Sequence, residues 1–171
     1  MKNKLDWNDW PKVAKDLGHY NMRILADGTW LHEGRPIKRE SLVKLFASVL
    51  RRDAQGQYWL NTPVEKGLID VDDAPFVIGT LAVSEQDGQQ VLICTTNVED
   101  DIVIGPDHPL VMRLPIDGEV ACPYVEVRNG LWAKMQRNAY YQLVDLADEC
   151  DDRLVVHSLG QTFDLGAMTD T

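Results

Sequence analysis

The stretch from Asp27 to Leu60, DGTWLHEGRPIKRESLVKLFASVLRRDAQGQYWL, constrains this chain more than any other. Asp27-Gly28 supplies the positive φ angles that a two-residue hairpin turn requires, so strands are expected on either side, over 21–26 and 29–32. Gly34, Arg35 and Pro36 bend the chain into a helix over 39–53. Leu42, Leu45, Phe46, Val49 and Leu50 recur at three- and four-residue steps, one apolar stripe, with Val43 widening it. Gln55-Gly56 stops the helix and Tyr58-Trp59-Leu60 resumes as a strand. A hairpin, a helix and a strand in that order predict a sheet with a helix on one face.

A looser copy of this order lies near the other end. Asp27-Gly28-Thr29-Trp30 matches Asn129-Gly130-Leu131-Trp132, each a turn with tryptophan two residues past the glycine. Arg39-x-x-Leu42-Val43-x-Leu45 matches Arg137-x-x-Tyr140-Tyr141-x-Leu143, and Gly56-Gln57-Tyr58-Trp59 matches Gly160-Gln161-Thr162-Phe163. Three matches in one order predict duplication of a hairpin–helix–strand unit. The polar stretch Asp72-Asp73-Ala74-Pro75 is the expected connection between the halves.

The organisation read from the chain is a helical arm over 1–20, a first domain over 21–75 and a second over 76–171. In the arm, Trp7, Trp10, Val13, Ala14 and Leu17 give one apolar face, and Pro11 sets the helix start near Trp10. Its expected role is packing on the first domain, with partner docking as the alternative. Further strands are expected at 64–71, broken at Gly67, and at 76–84, 89–96, 102–104, 110–114, 120–128 and 131–135. A second helix is expected over 137–149, then strands at 154–158 and 162–165.

Composition narrows the function classes. At 171 residues the chain can bury a sizeable core, and 44% hydrophobic with 26% charged residues is ordinary for a globular protein. No stretch approaches the roughly 20 apolar residues of a membrane span, and MKNKLDWNDWPKVAKDLGHY lacks a signal-peptide core, so a cytoplasmic location is expected. With 27 acidic against 17 basic side chains the net charge is -10, which disfavours non-specific nucleic-acid or anionic-membrane binding but permits a local basic pocket. Cys94, Cys122 and Cys150 are far apart without a CxxC pair, which fits reduced, mostly buried thiols and no zinc knuckle.

No phosphate loop, G-x-S-x-G or HExxH occurs, and the acidic run Glu99-Asp100-Asp101 with Asp107 lacks EF-hand spacing. No catalytic residue, metal or cofactor is therefore assigned. His32 and His108 sit in bends beside prolines, where histidine either holds loop backbone or meets an anionic or heteroaromatic ligand. Arg35, Arg39, Arg128 and Arg137 lie at helix starts or hairpin turns, where arginines either converge on a phosphate or pair with Glu40, Glu126 or Asp73. Among the aromatic residues, Tyr141 lies off the apolar stripe and is the candidate to stack on a base.

Together, DG-x-W-x-H-x-G-x-PI, R-x-x-LV-x-LFA, TP, DDAPF, TN, G-x-DHPL, PYVEVR and the YY helix resemble an uncharacterised bacterial domain-of-unknown-function family. The resemblance runs from Ile24 to Leu165, with DDAPF here in place of EDAPF. It implies an internally duplicated pair of sheet-plus-helix domains, the second loosely pleckstrin-homology-like, with a nucleotide-like ligand at their interface and a role in signalling. It carries over no catalytic residues.

The expectation is an α+β protein of two similar sheet-plus-helix domains, the C-terminal one a larger, antiparallel, pleckstrin-homology-like sheet with a helix. Its expected function is a non-enzymatic ligand-binding or sensory module. The ligand is a small, nucleotide-like anion held between the domains by His32, Arg35, Arg39, Asp73, His108, Arg128, Arg137 and Tyr141. The alternatives are a protein-interaction adaptor using the arm or a sheet edge, and an unrecognised hydrolase using Asp73, His32 or His108.

Overall fold

The computed structural model describes residues 15–116 and 118–167. It is mostly β, with two short helices, and divides into two compact units. One comprises Met1–Pro75 with Asn129–Leu131, the other Phe76–Arg128 with Trp132–Thr171.

The first unit begins with β1 (Lys15–Ile24), β2 (Trp30–His32) and β3 (Arg35–Pro36), a meander of antiparallel neighbours. Helix α1 (Glu40–Ser48) follows, then β4 (Leu50–Arg52), β5 (Tyr58–Asn61) and β6 (Glu65–Val71), a second meander. The meanders join through a parallel pairing of β1 with β6, giving the order β3-β2-β1-β6-β5-β4. Alternation selects the buried face: Met22 and Ile24 are buried around exposed Arg23, and Ile24 pairs with buried Trp30, Leu50 with Leu60. Helix α1 covers this face, and Phe46 stacks on Trp30 with ring centroids 6.1 Å apart.

The second unit repeats this plan. β7 (Phe76–Gln86), β8 (Gln89–Thr96) and β9 (Asp101–Val103) run outward from the centre. β10 (Leu110–Arg113), β11 (Cys122–Arg128) and β12 (Leu131–Met135) run back inward, and β12 pairs parallel with β7. The order β10-β11-β12-β7-β8-β9 is that of the first sheet, strand for strand. Helix α2 (Arg137–Asp145) comes after the sixth strand and buries Ala139 and Leu143. A three-stranded sheet follows: β13 (Asp148–Cys150), β14 (Arg153–Ser158) and β15 (Gln161–Ala167). It is stitched to the larger sheet by Ser158, fully buried, whose hydroxyl donates to Ile104 O at 2.6 Å and accepts from Leu92 N at 3.0 Å.

Several expectations change. The helix expected over 1–20 lies largely outside the described residues, but 15–20 is strand, running unbroken into 24 and laddered to β6. Helix α1 stops at Ser48 rather than 53, because Leu50 enters the ladder opposite Leu60. The inward face of α1 turns accordingly: Ala47 is buried and Leu45 is 59% exposed. β6 is continuous through Gly67, where a Cβ would meet the Tyr20 ring at 2.3 Å, so the glycine admits an aromatic ring rather than ending a strand. Helix α2 ends at 145, leaving room for β13, which sequence reasoning missed. Each six-stranded sheet is mixed at its centre, so the second is not wholly antiparallel.

The repeat also has a different register from the one the motifs suggest. Counted along the chain of each unit, Asp27-Gly28 lies between the first and second strands, whereas Asn129-Gly130 lies between the fifth and sixth. Helix α1 sits between strands three and four, and α2 after strand six. The matched tryptophans and helices are thus not topological equivalents. The short motifs reflect a shared need for tight turns, which recurs wherever one strand folds back on the next.

Candidate functional site

Among the described residues, a group of exposed basic side chains lies between β2 and α1, in HEGRPIKR. Glu33 (φ 51) and Gly34 (φ 77) form a tight turn, so His32 pairs directly with Arg35 across the hairpin. Ile37 N bonds Trp30 O at 2.8 Å, which holds the strand leading to Arg39. Arg39 is the N-cap of α1 and makes no side-chain cap. His32, Arg35, Lys38 and Arg39 are all exposed, and none of their side chains has a partner among the described residues. Pairing of Arg35 or Arg39 with Glu40 or Asp73 is therefore not how these charges are used. Asp73 is half-buried after β6; its neighbour Asp72 accepts from Arg23 Nε at 2.6 Å.

The second unit treats its candidates in two ways. His108 Nδ1 lies 2.9 Å from Glu126 O, and a Gly105–His108 bridge closes the same loop, so this histidine holds backbone. The Arg128 guanidinium carbon lies 5.5 Å from the Phe76 ring centre, a cation–π contact. Arg137 and Tyr141 are exposed one helical turn apart on the same face of α2, and neither side chain has a partner among the described residues. The candidates thus come together as small sets: His32 with Arg35 and the start of α1, His108 with the strand bearing Arg128, and Arg137 with Tyr141.

Other arginines show how much burial and partners matter. Arg51, half-buried, spends donors on Ser48 O at 3.2 Å and Leu50 O at 2.8 Å, and burial lowers its pKa. Beside it Trp59 Nε1 donates to Asp53 Oδ2 at 2.8 Å. Burial works to raise the Asp53 carboxyl, but hydrogen bonds from Trp59, Gln57 and Gln55 outweigh it and the pKa falls below the usual value.

Sequence reasoning missed Arg113 altogether. Its guanidinium carbon lies 4.3 Å from the Trp132 ring centre and 4.9 Å from that of Tyr124, which is buried. The three residues come from adjacent strands β10, β11 and β12, far apart in sequence, so no local motif marks them. Cys94 is buried and its thiol is pushed up to about 12 by desolvation, whereas Cys150 is exposed, contrary to the expectation of mostly buried thiols. Among the described residues no group of three or more His, Cys, Asp or Glu could hold a metal ion, and no helix is long and apolar enough to cross a membrane.

Comparison with known proteins adds a family. The model described as "Domain of unknown function (DUF1285), N-terminal domain" matches residues 7–74, and "Protein of unknown function (DUF1285), C-terminal domain" matches 75–165. The crystal structure of a DUF1285 family protein from Silicibacter pomeroyi DSS-3 is 39% identical, with a TM-score of 0.86 over 98% of this chain and 90% of that one. A DUF1285 family protein from Shewanella baltica OS155 is 31% identical, with a TM-score of 0.56 over 72% of this chain and 90% of that one. No functionally curated protein matches.

Proposed function

This chain belongs to the DUF1285 family, carrying both its N-terminal and its C-terminal domain, and on that premise we propose that it is a non-enzymatic sensory module for a small nucleotide-like anion. The observation that carries the reading is the run of four exposed basic side chains His32, Arg35, Lys38 and Arg39, free of side-chain partners among the described residues in a chain of net charge -10. Such side chains near a helix start suit a phosphate, which takes charge-assisted hydrogen bonds from guanidinium groups. Arg137 and Tyr141 on α2, in the other unit, are a separate candidate of the same kind, a cation one helical turn from a ring suited to stacking on a base. In this reading the second unit is loosely pleckstrin-homology-like, and the protein acts in cytoplasmic signalling.

Calorimetric titration with a panel of nucleotides and inorganic phosphate tests it. At least one nucleotide should bind, and Arg35→Ala or Arg39→Ala should weaken that binding about tenfold each, the loss of one charge-assisted contact. Arg137→Ala reports whether α2 contributes. Absence of heat from every member of the panel, or affinities indifferent to Arg35 and Arg39, would overturn the proposal.

A further inference from the structure

Helix α1 is only half covered by its own sheet. Ala47 is its one buried residue, whereas Leu42 and Val49 are half-buried and Leu45, between them, is 59% exposed. Leu42, Leu45 and Val49 follow one another at steps of three and four, so they form one line along a flank of the helix. An apolar line of this kind on a helix ordinarily meets another element.

The chain entering β1 arrives near the end of that line. Val49 O accepts from Asn61 N at 3.0 Å, Asn61 pairs with Lys66 in β6, and Lys66 pairs with Asp16 in β1. Two strand spacings, about 10 Å, therefore separate Asp16 from Asn61. Lys15 N donates to Val64 O at 3.0 Å, and Val64 is itself 74% exposed. Trp10 and Trp7 precede Lys15 by five and eight residues, which at about 3.3 Å each gives reaches of roughly 17 and 26 Å. Val49 and Leu45 are thus within reach of Trp10, and Leu42 within reach of Trp7.

The segment 1–14, which precedes the described residues, has the chemistry to fill that flank. Trp7, Trp10 and Val13 recur every third residue, a spacing that matches side chains one helical turn apart. The N-terminal domain of the family matches from residue 7, so both tryptophans belong to the pattern of this domain rather than preceding it. Lys2, Lys4 and Lys12 outnumber Asp6 and Asp9, which makes the segment net positive in a chain of net charge -10. A second copy of the chain would bring two strongly acidic bodies together. A separate partner would compete with a segment already tethered at Lys15, for which a short linker sets a high effective concentration.

We propose that residues 1–14 fold back along α1 as a tethered cover, with Trp10 on Leu45 and Val49 and Trp7 toward Leu42. The half-open flank of α1 is then the docking surface for the start of its own chain.

The test follows fluorine-labelled tryptophan by NMR in the full chain, with the Trp7 and Trp10 signals assigned through Trp7→Phe and Trp10→Phe. Leu45→Ser should move the Trp10 signal toward that of free tryptophan. Val83→Ser, at a comparably exposed valine of the second unit, should leave it in place. Amide exchange along α1 should accelerate about tenfold in Trp10→Ala and by a similar factor in Leu45→Ser, with the double variant no faster than either. Circular dichroism confirms that each variant is folded. A Trp10 signal already at the free-tryptophan position in the wild type, or exchange effects of the two substitutions that simply multiply, would overturn the proposal. So would sedimentation showing a dimer that Leu45→Ser dissociates, since the flank would then belong to a second copy.

Discussion

The two units share a six-stranded sheet and differ in what they add to it. In both, three strands step outward from the centre, three step back inward, and the sixth joins the first in parallel. The first unit bridges its outermost strands with α1. The second bridges them with a loop fastened by His108 to Glu126 O, then places α2 after the sixth strand and adds β13–β15. The sheet is thus the repeated object and the helix an accessory. A sheet closed by a parallel pair needs only a long crossover, and here four intervening strands supply it, so no helix is required at any fixed place.

That contrast can be attacked at the element only the second unit possesses. Ser158→Ala leaves the buried Leu92 N–H and Ile104 O without their shared partner, and should cost about 1–3 kcal/mol. Chemical denaturation measures the loss, and amide exchange at Leu92 should accelerate. If stability is unchanged and Leu92 stays protected, the three-stranded sheet is not held as described.

The two motif turns provide a smaller and sharper contrast. Asn129 (φ 43) and Gly130 (φ 78) both occupy the left-handed region and join β11 to β12 directly. At the other turn only Gly28 (φ 89) does, within a wider loop closed by Leu25 N to Thr29 O at 2.8 Å. Asn129→Val should therefore cost roughly 1–2 kcal/mol in backbone strain. Asp27→Ala should cost less, losing the exposed turn bond from Thr29 N to Asp27 Oδ1 at 2.9 Å without straining the backbone. Denaturation midpoints for the pair rank them, and the reverse order would make the turns equivalent after all.

The smallest expected effect is a pH dependence. The backbone hydrogen bond from Thr29 holds the Asp27 carboxyl below its ordinary value. A lowered folded pKa contributes stability that is present above the unfolded value, about 3.9, and is lost as pH falls through the folded one. Relative to wild type, Asp27→Asn should lose this contribution at neutral pH and converge with it in acid. Parallel stability curves across pH 2 to 6 would remove the turn carboxylate from the account.

Much of the strand pattern is readable from the chain. Alternation around Arg23 and along Leu131, Ala133 and Met135, and the Asn-Gly turn, are local signals that the tertiary structure keeps. The end of α1 is not readable, because Val49 and Leu50 fit a helical stripe until Leu60 offers a ladder partner. Among the candidate residues, types and positions were legible: exposed arginines at helix starts and a loop histidine. Which of them had spent their donors was not, since Arg39 has no side-chain partner among the described residues while His108 is engaged by a carbonyl 18 positions away.

What the sequence alone determined is the material: strands, two amphipathic helices, turns that must take positive φ, and an acidic surface with a few basic side chains set apart. Those properties depend on neighbours a few residues away. The tertiary structure decided which copies correspond, because equivalence in a sheet is a matter of strand order and not of motif order. It also gathered Arg113, Tyr124 and Trp132, which only adjacent strands could bring together.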